Sequence, residues 1–133
     1  MKKISTVFDL LKRIQQNPSR YLGYPSVHSL FIFLNGYRFA RQDMGVELTE
    51  QEAMFYSRFQ PWLQEKLGVH AATSWPKLVM LSCKDEQAGF KAFFVLLAEF
   101  RHWCRSESAL SSRSAVVHRL RDVLETDRLS MMD

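Results

Sequence analysis

Residues 86–105, EQAGFKAFFVLLAEFRHWCR, read as a helix that is apolar almost all the way round. Phe90, Ala92, Phe93, Phe94, Val95, Leu96, Leu97, Ala98 and Phe100 surround its axis, and Lys84, Gln87, Lys91 and His102 leave only a narrow polar stripe. Such a helix has to be covered on most sides, and other helices packed around it are the simplest cover. Strand-like alternation is nearly absent elsewhere. The expectation is an all-α fold: one domain over residues 1–133, a compact bundle of about six helices with the apolar helix near residues 86–105 at its centre.

The other helices have readable boundaries. A first helix over 6–16 carries the stripe Ile4, Val7, Phe8, Leu11 and Ile14 and ends at Asn17-Pro18. Residues 21–25 form a turn in which Gly23 is free to take positive φ. Ser26 is placed to cap a second helix running to about Met44, stopped by Gly45. On it, His28, Asn35 and Gln42 share one side, with Ile32 and Phe39 within about 40° of that line. Those two apolar residues need another helix, or a partner, to cover them. Thr49-Glu50-Gln51-Glu52 is a capping box, with Leu48 and Ala53 placed for a staple. The helix it opens runs to Leu67 and closes at Gly68, and Pro61 predicts a kink or break inside it. Ser74-Trp75-Pro76 opens a short helix to about Ser82. Residues 106–114 read as a serine-rich loop, with Ser112 capping a last helix striped by Val116, Val117, Leu120, Val123 and Leu124.

Composition narrows the function classes. Hydrophobic residues at 47% and charged residues at 24% describe a globular chain rather than a disordered one. The apolar runs are too short to span a membrane. Met1-Lys2-Lys3-Ile4 opens like a secretory signal, but Asp9, Lys12 and Arg13 interrupt it, so a cytoplasmic location is expected. Cys83 and Cys104 fit that compartment as buried thiols. Net charge is +4 but unevenly spread: residues 1–41 carry +6 and residues 42–68 carry −3. That asymmetry would orient a charged partner.

No reaction centre is evident. His28, His70, His102 and His118 are scattered, none with a ligand at metal spacing. There is no Gly-x-Ser-x-Gly elbow and no glycine-rich phosphate loop. The carboxylate pairs Asp85/Glu86 and Glu50/Glu52 sit at helix starts, where they offset the macrodipole. The expectation is a non-enzyme with no cofactor and no metal. A nucleic-acid-binding or regulatory helical domain is the alternative, drawing on the basic first third, Arg113, Arg119, Arg121 and Arg128, with Tyr21, Tyr24 and Trp75 as stacking platforms. The bases are dispersed, however, and no recognition helix is visible.

The stretch Pro18, Tyr21-Leu22-Gly23, Ser26, Leu30, Phe33-Leu34-x-Gly36-Tyr37 resembles a pattern found in small bacterial proteins. Phe59 and Trp62, Trp75 before a short helix, and the aromatic run from Phe90 to Phe100 extend the likeness over residues from about 8 to 103. On these motifs the chain resembles the immunity proteins of bacterial toxin systems, including contact-dependent growth inhibition. The resemblance implies a cytoplasmic protein that binds a cognate toxin domain, often a nuclease, and blocks it stoichiometrically. Gly36 would then permit close helix approach. Given the basic net charge, either the acidic segment docks locally or the toxin is not a basic nuclease. The expected contacts are Asp43, Glu47, Glu50 and Glu52, with Tyr24, Trp75 and Lys77 as anchors.

Overall fold

The computed structural model describes residues 3–71 and 73–131, with side chains through residue 110. The chain is all-α. In order, the elements are α1 (Val7–Gln16), α2 (Pro18–Leu22), α3 (Val27–Asp43), α4 (Glu50–Leu67), α5 (Trp75–Met80) and α6 (Glu86–Met131). No strand occurs among the described residues. The chain divides into two compact units, Met1–Ala98 and Glu99–Asp133.

The first unit is held by one apolar core to which most of its helices contribute a stripe. Val7, Leu10, Leu11 and Ile14 come from α1, Val27, Leu30 and Leu34 from α3, and Phe55, Phe59 and Leu63 from α4. Trp75, Leu78 and Val79 of α5 and Phe90, Phe93 and Leu97 of α6 complete it. The middle of this core is aromatic. Trp75 stacks on Phe93 at 4.8 Å, and Phe59 meets both rings edge-on at 5.6 Å. Each such pair contributes about 0.5–1.5 kcal/mol beyond the area it buries.

Helix ends follow local chemistry. The Thr49–Glu52 capping box forms as the sequence predicts, and a second box, Thr6 with Asp9, opens α1. Gly68 ends α4 in the left-handed region at φ +68°. Pro61 does not break α4; it lies on the exposed side, where water can take the Ser57 carbonyl that loses its donor.

Some of the expected helix boundaries need correction. Pro18 does more than end α1: with φ preset for a helical first position, it starts the five-residue α2. The serine-rich loop does not form either, and α6 continues through 106–114, so no helix begins at Ser112. No glycine or proline occurs after Gly89 within α6 to stop it. A serine costs a helix only about 0.5 kcal/mol relative to alanine, and Ser106 Oγ donates back to the His102 carbonyl at 3.1 Å. The stripe Val116 to Leu124 and the arginines at 113, 119, 121 and 128 lie outside the described side chains.

The start of α6 is also less enclosed than its composition suggests. Gly89, Phe90, Phe93 and Leu97 are buried, while Val95 and Ala98 are exposed. The close approach is at Gly89, where a Cβ would lie 2.6 Å from Met80 Sδ and 3.0 Å from Val27 Cγ1.

Candidate partner-binding surface

Helix α3 is anchored at its start and bare along its outer side. Ser26 Oγ accepts from Ser29 N at 3.1 Å and donates to Glu86 Oε2 at 3.0 Å; His28 N donates to the same oxygen at 3.2 Å. His28 Nδ1 pairs with Glu86 Oε1. Partial burial alone would raise the Glu86 carboxyl, but the hydrogen bonds from His28 and Ser26 outweigh it and hold it below its ordinary value. His28 is therefore a fixed structural residue at the foot of α3.

Farther along α3 the outer side is uncovered. Ile32 is 69% exposed and Phe39 72% exposed, and they fall on one side because seven residues make nearly two turns. Gly36 lies between them, and a Cβ there would meet nothing within 4 Å, so it does not serve close packing within the chain. Met44, Val46 and Leu48 extend the series of exposed apolar side chains into the α3–α4 loop. Leu48 is thus no buried staple. Asp43, Glu47 and Glu50, all exposed, alternate with these residues. An apolar centre with a charged rim is the composition that protein interfaces use.

The predicted contact residues separate into three groups. Asp43, Glu47 and Glu50 belong to this surface. Tyr24 and Lys77 are exposed but lie on other elements: Tyr24 precedes α3, about 25 Å from Asp43 at the far end of that 17-residue helix, and Lys77 is on α5. Glu52 and Trp75 are not surface residues at all, a correction to the sequence reading. Trp75 is inside the aromatic core. Glu52 is 1% exposed and joins two helix starts: Oε1 accepts from Thr49 N at 3.0 Å and Oε2 from Val7 N at 2.9 Å. Burial there is tolerable because both oxygens face backbone N–H groups at the positive ends of α4 and α1.

The bases of the first third are partly internal. Arg41 Nη1 donates to Tyr37 Oη at 2.5 Å and Nη2 to the Ser5 carbonyl at 3.0 Å. The stacking platforms a nucleic acid would need are also reduced: Trp75 is buried and Tyr21 packs edge-on against Phe33 at 6.3 Å, leaving Tyr24. Among the described residues no three His, Cys, Asp or Glu side chains gather into a metal-binding group, and no helix is long and apolar enough to cross a membrane.

A cleft of about 150 Å³ opens beside the surface, between α3 and α4 with α5 at its base. Leu34, Phe55, Phe59 and Trp75 form its floor, and Asn35, Arg38, Tyr56 and Gln60 its rim. The Arg38 guanidinium lies 4.4 Å from the Tyr56 ring centroid. Burial, then the nearby Glu52 charge, push the Tyr56 hydroxyl up to about 12 despite Arg38. No sequence signal marks this cleft, because Arg38 and Tyr56 meet only through tertiary packing. Compared with known proteins, the chain matches no family model, no curated protein and no solved structure.

Proposed function

We propose that this chain is a cytoplasmic immunity protein that binds a cognate bacterial toxin domain, a nuclease in the favoured reading, and occludes its active site. The observation that carries the proposal is the exposed series Ile32, Phe39, Met44, Val46 and Leu48 interleaved with Asp43, Glu47 and Glu50. Apolar side chains supply the desolvated centre of an interface. The carboxylates complement the basic groove that a nuclease needs to hold phosphates, speeding encounter and fixing orientation. A specific interface of this kind buries about 1,600 Å² in total. The resemblance of residues 8–103 to immunity proteins supports the same reading. No chemistry by this chain is required; inhibition follows from stoichiometric cover.

Co-expression with the product of the reading frame immediately upstream tests it. The proposal expects growth to recover and a one-to-one complex to co-purify. Growth that stays arrested, or co-purifying nucleic acid with no protein partner, would contradict it.

A further inference from the structure

The α3–α4 cleft carries a proposal independent of the toxin reading. Its floor is buried and apolar: Leu34 and Phe55 are 3% exposed, Phe59 1%. Its volume of about 150 Å³ is that of a cavity that accepts one benzene ring. The size admits a single six-membered ring.

The rim offers donors. Arg38 is exposed, has no carboxylate partner among the described residues, and lies over the Tyr56 ring. The Asn35 side-chain amide makes no hydrogen bond among the described residues, and neither does the Tyr56 hydroxyl. Gln60 has its Nε2 engaged by the Thr73 carbonyl at 2.6 Å. Glu52, whose charge acts on Tyr56, has both oxygens engaged by Val7 N and Thr49 N. An apolar ring-sized slot rimmed by a guanidinium, an amide and a hydroxyl suits a ring that bears an anion. We propose that the cleft between α3 and α4 binds a small free aromatic carboxylate, the ring on Phe55, Phe59 and Trp75 and the carboxylate on Arg38.

The test is a titration of the full chain, followed by amide and indole resonances, with benzoate and with neutral benzyl alcohol. Benzoate should saturate with a dissociation constant on the order of 1 mM, as befits so small a ligand. The shifts should centre on Arg38, Tyr56 and the Trp75 indole, with benzyl alcohol binding about tenfold more weakly. Arg38→Gln, at an exposed position, should bring benzoate to the level of the alcohol and leave the alcohol unchanged. Absence of saturation, equal affinity for the two probes, an unaffected Arg38→Gln, or shifts centred elsewhere would each overturn the proposal.

Discussion

Glu52 connects α1 to α4 through one carboxylate, and removing it tests how the first unit is held together. In Glu52→Ala the Val7 N–H, on a residue 0% exposed, loses its acceptor at 2.9 Å. An unsatisfied buried donor costs about 1–3 kcal/mol. Loss of the reciprocal half of the Thr49 capping box adds about 1 kcal/mol. Loss of a negative charge at two helix N-termini adds about 0.5–1 kcal/mol each, near the upper range because the site is dry. The sum is about 3–6 kcal/mol, a large share of the roughly 5–15 kcal/mol that keeps a domain folded. With a urea slope of about 2 kcal/mol/M, the midpoint should fall by about 1.5–3 M at unchanged slope. Glu52→Gln keeps the shape but turns an amide NH₂ toward one of the two N–H donors, so it should cost about 2–3 kcal/mol. A loss below about 1 kcal/mol in Glu52→Ala, or wild-type stability in Glu52→Gln, would refute the two-helix role.

Other measurements probe separate parts of the structure. Gly36→Ala should raise stability by about 0.5–1 kcal/mol in urea melts, since the site is open and alanine is the better helix former. Because the Glu86 carboxyl is held below its ordinary value of 4.5, its contribution is present above that pH and is lost on acidification through the lowered value. The stability gap between wild type and Glu86→Gln should therefore be fully present above pH 4.5 and shrink as the pH falls through the lowered value. In an ultraviolet titration Tyr56 should ionise at about 12, against an ordinary 10.0, and Tyr56→Phe should remove that late phase.

Local chemistry made much of this fold legible from sequence. The Thr49–Glu52 box, Ser26 as a cap and Gly68 as a stop are each written within a few residues, and each is present. What depends on distant residues was not legible. Glu52 read as an acidic surface residue because the sequence cannot show that Val7, 45 positions earlier, donates to its free oxygen. Trp75, beside Ser74 and Pro76, read as a loop anchor, yet Phe31, Phe59 and Phe93 enclose it. Glycine is ambiguous in the same way: Gly36 invites a close-packing role but faces open space, while Gly89 performs one. The serine cluster failed for another reason: serines weaken a helix only slightly, and no proline or glycine was there to end it. For the candidate site, Ile32 and Phe39 were visible as residues in need of cover. Met44, Val46 and Leu48 were not, because a loop carries no periodicity to say which side chains face outward.

The most direct test of the proposed role is the affinity of the purified chain for its toxin domain, measured for wild type and for Asp43→Lys/Glu47→Lys/Glu50→Lys. Glu52 is left intact, and a urea melt of the triple variant checks that the fold survives reversal of Glu50 in the first turn of α4. If this surface docks a basic partner, the triple reversal should weaken binding by about 100-fold, and wild-type affinity should fall as salt rises. Unchanged affinity in the triple variant would contradict the account.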